Sequence, residues 1–222
     1  MKPSPYEGFD PLSEADHWED RDRRLVLSRL HDIPQRRFFS EDETRVLEAV
    51  VDRIVPQPDR RAGAKVPVTP FVDQALAEDE TDGFRKEGMP WDQEVWRMGV
   101  AGIEQTSHAR HARSFTELDE GAQDDVLRAV QAGNPEGEVW RELPAAAVFH
   151  KLTQEIVSVY YAHPSAWAEI GWPGPASRRG YMRTGYGQFD PWQPRPATGS
   201  SSVHLLSAPE GGTPSGAGGG TP

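Results

Sequence analysis

His163 is the first residue of this chain whose type and setting suggest chemistry. It lies in VYYAHPSAW, at the end of a predicted helix, and directly precedes Pro164. A histidine that acts as a general base needs an orienting group within hydrogen-bond reach, and the nearest carboxylates in the sequence are Glu155 and Glu169. Neither spacing is diagnostic of a catalytic pair. Two other roles stay open for His163: capping of the preceding helix, and contact with a partner protein.

Metal and phosphate chemistry have less support. HARHAR places His108 and His111 on one helix face, but two imidazoles need at least one more ligand, and a His-Glu-x-x-His pattern is missing. Flanking Arg110 and Arg113 disfavour a cation. The glycine clusters GWPGP and TGYG follow no predicted strand and match no phosphate-binding fingerprint. The sequence therefore predicts that this chain binds neither a metal nor a flavin.

The composition excludes several classes of protein. The 222 residues include no cysteine, which rules out disulfides, thiolate metal sites and cysteine nucleophiles. The formal net charge of -11 argues against a nucleic-acid backbone or an anionic membrane as partner, because both attract a basic surface. No stretch approaches the roughly 18 apolar residues of a membrane span.

Two arginine pairs near the N-terminus resemble the start of a twin-arginine export signal. They lie in DRRLVLSRLHD and QRRFFSEDE. Neither continues into an apolar stretch, because charged residues follow within a few positions. The sequence therefore predicts no signal peptide and a cytoplasmic protein, and it leaves export together with a partner open.

Apolar residues at helical spacing predict about five helices. The clearest begins at Ser40, where SEDE forms a capping box, and ends before Pro56. A second helix is predicted with Thr69 as its cap and Pro70 at its first position. A third runs over 91–109, with Trp91 pointing inward.

The fourth and fifth helices lie between turn signals. SFTELDE starts the fourth and AGNPEG ends it, and the fifth begins near Pro144. Gly99 and Gly102 in the third helix predict close packing against a neighbour. Strict alternation over strand length is found nowhere. The predicted class is all-α: a small helical domain of about five helices, an extended aromatic C-terminal arm rich in Gly and Pro, and a disordered tail.

Changes in composition divide the chain into four parts. These are an N-terminal arm (1–37), a helical domain (38–162), an extended aromatic clamp (163–196) and a disordered tail (197–222). A short helix over 15–30 is an alternative to a loose N-terminal arm, since Trp18, Leu25 and Val26 would share one face.

Residues 159–183, VYYAHPSAWAEIGWPGPASRRGYMR, concentrate large aromatic side chains where Pro and Gly prevent a regular helix or strand. Exposed aromatics would make this arm poorly soluble, so the side chains are expected to be buried. About 30 extended residues reach up to ~100 Å, which is farther than a domain of this size. Two interpretations follow. The arm folds back over the chain's own helices, or it wraps a partner protein with its aromatics as anchors.

Four motifs occur in a characteristic order over roughly 38–183: FFSEDETRVLEAVVDRIVPQPD, VPVTPFVDQAL, SFTELDEGAQDDVLRAV and VYYAHPSAWAEIGWPGPASRRGY. The last is the most specific, with Tyr-x-His-Pro-x-x-Trp followed by Gly-Trp-x-Gly-Pro and Arg-Gly-Tyr. In order and spacing the four motifs resemble the gluconate 2-dehydrogenase subunit 3 family. Members of that family are small non-catalytic subunits of dehydrogenases, and many carry a twin-arginine signal that exports both subunits.

The resemblance implies a non-catalytic subunit without a cofactor of its own. The implied partner is an FAD-binding catalytic subunit of the glucose–methanol–choline type that oxidises sugars, sugar acids or polyols. The small subunit wraps this partner and stabilises it in a chaperone-like way. The implied interface residues are Tyr160, Tyr161, His163, Pro164, Trp167, Gly171, Trp172, Gly174, Arg179 and Tyr181.

Replacing Trp167 or Trp172 with alanine is expected to weaken partner binding more than any charged substitution. Two alternatives stay open: a stand-alone enzyme that uses His163, and a helical adaptor for an unrelated partner.

Overall fold

Helices make up the regular structure of the described residues. The computed structural model describes residues 6, 8–60, 63–80, 87–176, 178–183, 185 and 188–196, and it contains no strand among them. The α-helices are α1 (Asp20–His31), α2 (Glu41–Ile54), α3 (Val68–Ala77), α4 (Asp92–His111), α5 (Glu120–Ala132), α6 (Ala145–Ala162) and α7 (Trp167–Ile170). Short 3-10 helices cover Pro11–His17, Phe115–Glu117, Val139–Arg141 and Pro164–Ala166. The all-α class is confirmed, and the predicted tail lies outside the described residues.

Capping signals in the sequence set the helix starts. Ser40 caps α2 as predicted: its Oγ accepts the N–H of Glu43 at 3.3 Å, and the Glu43 carboxylate accepts the N–H of Ser40 at 2.8 Å. The predicted start of the second helix was wrong. α3 begins at Val68, so Thr69 lies inside the helix and Pro70 is its third residue. Proline is tolerated there because the N–H groups of the first turn have no intrahelical partner.

α2, α4, α5 and α6 enclose the main core. α6 packs against α3, α4 and α5, and α2 packs against α3 and α4. Burial of each large apolar side chain stabilises the fold by about 1.5–3 kcal/mol. Fully buried core residues include Leu47, Val95, Trp96, Phe115, Val126 and Ile156. Among the described residues, no helix combines the length and the apolar character that a membrane crossing requires.

Two side chains predicted to face inward point to solvent. Trp91 is 61% exposed, and the tryptophan of this region that enters the core is Trp96, which is fully buried. Trp91 is the N-cap residue of α4 and has an extended backbone. Its side chain therefore does not lie on the apolar face of α4. Leu25 is 55% exposed, because it lies about 100° around α1 from the buried Val26. The helical alternative for the N-terminal arm is confirmed in part: α1 (Asp20–His31) starts later than predicted, and Trp18 lies before it.

Gly99 and Gly102 let α4 approach its neighbours closely, as predicted. A Cβ at Gly99 would lie 3.0 Å from Val148 of α6. A Cβ at Gly102 would collide with the indole of Trp140, whose Nε1 donates to the Gly102 carbonyl at 3.1 Å. The space that a larger residue would need is thus filled by packed side chains, which offsets the low helix propensity of glycine.

Asp73 of α3 holds the chain that precedes α2. Its side chain has 0% exposure. The carboxylate accepts hydrogen bonds from the backbone N–H groups of Arg37 (2.6 Å), Phe38 (3.1 Å) and Phe39 (2.8 Å). These donors compensate for the lost hydration of a buried carboxylate. The ring of Phe39 lies 6.2 Å from that of Trp96, so Asp73 anchors this segment to the main core.

Candidate partner-binding surface

The aromatic segment, residues 160–181, begins at the end of α6. His163 is buried there and caps both the end of α6 and the start of the 3-10 helix Pro164–Ala166. Its Nδ1 accepts a hydrogen bond from the N–H of Ser165 at 3.2 Å. Arg29 of α1 donates to the neighbouring Ala162 carbonyl at 2.9 Å. Of the three roles considered for His163, the structure shows helix capping.

Tyr160 and Glu169 tie the aromatic segment to the loop after α2. The Tyr160 hydroxyl donates to Glu169 Oε1 at 2.8 Å, and Arg60 donates to the same oxygen at 2.5 Å. Arg60 also donates to the Ser165 carbonyl at 2.6 Å. Burial and then the hydrogen bond to Glu169 raise the pKa of Tyr160 above its usual range, so the hydroxyl remains a donor. This network fixes the turn between α6 and α7.

Trp167 lies in a small apolar cluster that is separate from the main core. Its ring meets that of Trp18 edge-on, with 6.1 Å between the ring centres, and that of Trp172 at 4.2 Å. Val26 of α1 is buried in the same cluster. Edge-on aromatic pairs contribute about 0.5–1.5 kcal/mol beyond the burial of their area. Tryptophan contacts therefore hold the N-terminal arm against the aromatic segment.

Two glycines make room for side chains from the N-terminal arm. Gly171 has a φ of +66° and Gly174 a φ of +86°, a region that other residues adopt only with strain. A Cβ at Gly174 would lie 2.9 Å from Cε2 of Trp18, and a Cβ at Gly171 would lie 2.5 Å from Cζ of Tyr6. Backbone conformation and close approach both require glycine at these positions.

Arg179 links the end of the aromatic segment to the N-terminal arm. It donates to the Glu14 carboxylate at 2.6 Å, and its guanidinium lies 4.4 Å from the centre of the Trp192 ring. Both members of the ion pair are largely buried. Such a pair is screened less by salt than one at the surface.

Large apolar side chains of this region remain exposed to solvent. The exposed fractions are 39% for Tyr161, 47% for Ile170, 56% for Tyr181 and 71% for Met182. The buried carboxylate of Asp190 accepts the backbone N–H of Met182 at 3.2 Å. Asp190 therefore holds the backbone at Met182, next to Tyr181, in the isolated chain.

The structure separates the predicted interface residues into two groups. Those buried against this chain itself are Tyr160, His163, Pro164, Trp167 and Gly174. Those with partial or full exposure are Tyr161, Gly171, Trp172, Arg179 and Tyr181. Folding back on the chain's own residues, the first of the two interpretations, describes the buried group. Contact with a partner stays a prediction. Tyr161 and Tyr181 are exposed, whereas Gly171, Trp172 and Arg179 also contact the N-terminal arm or its cluster.

A family model described as gluconate 2-dehydrogenase subunit 3 matches residues 41–174, well over half of the chain. The chain belongs to the gluconate 2-dehydrogenase subunit 3 family. The resemblance carried by the sequence motifs is thereby confirmed. No curated protein and no solved structure gives a significant match. Membership implies an accessory subunit of a gluconate dehydrogenase complex, with a dehydrogenase subunit as its partner.

The family match covers most of the aromatic segment but not the N-terminal arm. It begins at the first residue of α2 and ends at Gly174, so it includes most of the aromatic segment. It does not include the N-terminal arm that packs against that segment. In this member of the gluconate 2-dehydrogenase subunit 3 family, the arm therefore covers a surface that lies inside the family match.

Neither candidate carboxylate orients His163 as a general base within the described residues. Glu155 accepts a hydrogen bond from Trp96 Nε1 at 2.7 Å and pairs with Lys151 at 2.5 Å. Glu169 binds Tyr160 and an arginine, as described above. Both carboxylates thus serve to hold helices and turns together in this subunit 3 family member.

The histidines of HARHAR lie beside single carboxylates. His108 is 3.3 Å from Glu104, and His111 is 3.6 Å from Asp125. Across the part of the chain that the structure describes, no group of three potential metal ligands is present.

Two charged residues that position the aromatic segment of this subunit 3 family member, Arg60 and Glu14, were not predicted from the sequence. Arg60 lies 109 residues from Glu169, and Glu14 lies 165 residues from Arg179. No local pattern connects such distant pairs. The available signal was the Gly-Trp-x-Gly-Pro motif itself, because glycines between aromatics indicate close approach of another chain segment.

The stability of this family member is expected to fall as the pH drops below about 6.5. Burial lowers the pKa of His163, and the charges of Arg60 and Arg29 act in the same direction. The unfolded chain therefore takes up this proton before the folded chain does, and acidification favours unfolding. Melting temperatures between pH 7 and pH 5 test this. His163→Gln should flatten the slope, and His31→Gln, at an exposed position, is the matched control. An equal slope in wild type and His163→Gln would contradict the assignment.

Proposed function

We propose that this chain is the non-catalytic small subunit of a sugar or polyol dehydrogenase whose catalytic subunit is an FAD protein of the glucose–methanol–choline type. Family membership over residues 41–174 carries the proposal, because it implies an accessory role beside a dehydrogenase subunit. The setting of His163 supports it too, since that residue caps helices and is not paired with a carboxylate in the described residues. The flavin then belongs to the partner.

The docking face that we assign contains the exposed side chains Tyr161, Ile170, Tyr181 and Met182. Aromatic residues and methionine are enriched in the cores of protein interfaces, where they exclude water on binding. Asp190 holds the turn at Met182 in place. Such preorganisation lowers the entropy that is lost on association.

The proposed mechanism is stabilisation by mass action. A subunit that binds the folded flavoprotein and not the unfolded one shifts the folding equilibrium toward the folded state. A permanent complex of this kind commonly buries about 2,000 Å2 or more. That area requires more than the four exposed side chains, so additional surface of this chain would be covered.

We would test this by measuring the affinity of this chain for a co-expressed FAD protein of the glucose–methanol–choline type. The double variant Tyr161→Ala/Tyr181→Ala is expected to bind about 100-fold more weakly, as two interface anchors of moderate strength would require. Trp91→Ala removes an aromatic of similar exposure at the N-cap of α4 and serves as the matched control, with a change of about twofold or less. Equal affinities for all three proteins would refute the assigned face.

Two alternatives have distinct outcomes. A stand-alone enzyme would turn over substrate without any flavoprotein. A helical adaptor would ignore the flavoprotein and bind another protein.

A further inference from the structure

An N-terminal segment, residues 8–31, covers part of the aromatic segment at three points. Trp18 packs against Trp167, Glu14 pairs with Arg179 at 2.6 Å, and Arg29 binds the carbonyl of the last α6 residue at 2.9 Å. The site that receives Trp18 is formed by Trp167, Trp172 and Gly174 and is called the aromatic slot below.

The aromatic slot and its occupant belong to different parts of the molecule. The slot lies within the family match at 41–174, whereas Trp18 lies outside it. Among the described residues, Trp18 and Val26 form a buried cluster with Trp167 that is separate from the main core. The N-terminal segment can therefore leave without opening the core.

Trp18 does not satisfy all of its hydrogen-bonding groups in the slot. Its indole N–H is buried and finds no acceptor among the described residues. By contrast, the indole N–H of Trp167 donates to the Tyr161 carbonyl at 3.1 Å, that of Trp96 to Glu155 at 2.7 Å, and that of Trp140 to a carbonyl of α4. A buried donor without an acceptor loses its hydration without compensation. The apolar contacts of Trp18 thus favour its binding in the slot. Its unsatisfied N–H favours release of Trp18 from the slot.

We propose that the aromatic slot is an exchangeable binding site for a bulky aromatic side chain. Trp18 fills the slot in the isolated chain, and an aromatic side chain of the flavoprotein replaces it in the complex. This proposal rests on the proposed function for the identity of the partner. The slot itself can be tested without one.

The partner test uses two variants that break the same contact between Trp18 and Trp167. Trp18→Ala empties the slot and should tighten flavoprotein binding by about tenfold, since a site that is open in about a tenth of the molecules binds with that fraction of its intrinsic affinity. Trp167→Ala destroys the slot and should weaken binding by at least about tenfold. Opposite signs support exchange. Weaker binding by both variants would overturn it, because that result means that the N-terminal segment belongs to the interface.

Glu14→Gln provides a second variant that keeps every tryptophan. It weakens only the ion pair with Arg179 and should also tighten flavoprotein binding. Amide hydrogen exchange adds a direct readout: α1 should lose protection when the flavoprotein binds. Unchanged or increased protection of α1 in the complex would overturn the exchange.

The partner-free test uses indole as a probe of the full-length Trp18→Ala variant. An emptied apolar site of this kind binds a ligand of matching shape. Indole should raise the melting temperature of Trp18→Ala and leave wild type and Trp91→Ala unchanged. Absence of this selective shift would overturn the slot as a discrete aromatic site. If indole binds but no variant binds the flavoprotein, the proposed function fails while the slot stands.

Discussion

Asp73→Ala is expected to lower the free energy of unfolding by about 3 kcal/mol, which corresponds to about 10 °C in melting temperature for a chain of this length. The carboxylate is fully buried and accepts the backbone N–H groups of Arg37, Phe38 and Phe39. Alanine removes the acceptor and leaves these donors unsatisfied. The segment before α2 should then detach, and thermal unfolding followed by circular dichroism measures the loss.

Two control variants show whether the loss of stability comes from the buried acceptor. Asp73→Asn retains one acceptor oxygen and should fall between wild type and Asp73→Ala. Asp42→Ala removes an exposed acid that pairs with Arg45 at the surface and should change stability by about 0.5 kcal/mol or less. A loss for Asp73→Ala no larger than that for Asp42→Ala would contradict the anchoring role.

Trp96→Ala is expected to destabilise the main core, and Trp167→Ala the separate cluster that holds the N-terminal arm. Trp96 is fully buried in the main core, and its Nε1 binds Glu155, so its removal should cost about 4 kcal/mol of global stability. Trp167 lies in the separate cluster with Trp18. Its removal should speed hydrogen exchange in α1 by about 100-fold or more, while the main melting transition moves by less than about 3 °C.

Amide exchange resolved by residue, together with the melting temperature, distinguishes these outcomes. Trp96→Ala should raise exchange in α2, α4 and α6 alike. If Trp167→Ala instead lowers the main transition as much as Trp96→Ala does, the two clusters unfold as one unit and their separation is refuted.

Local signals explain why most helices could be predicted. The SEDE capping box fixes the start of α2, and Gly133 with Asn134 fixes the end of α5, where Gly133 has a φ of +77°. Apolar spacing identified the buried Val148, Leu152 and Ile156 of α6. These features depend only on residues within one or two helical turns.

The contacts that organise the candidate surface depend on distant residues and had no such signal. Trp18 contacts Trp167 although most of the chain lies between them in the sequence. The Glu14–Arg179 pair spans 165 residues of sequence. A buried aspartate such as Asp73 looks like any acid on a helix, because the N–H groups it satisfies come from another segment. The prediction that the aromatic segment buries its rings is confirmed for Tyr160 and Trp167 and wrong for Tyr161 and Tyr181. The surface that covers the buried rings was not predicted.

The most direct test of the proposed accessory role is to purify this chain alone and together with a co-expressed FAD protein of the glucose–methanol–choline type. We expect a single co-eluting species with a flavin absorption spectrum, and a higher yield of soluble flavoprotein than without this chain. A colourless chain that elutes separately, beside a flavoprotein of unchanged yield, would contradict the accessory role.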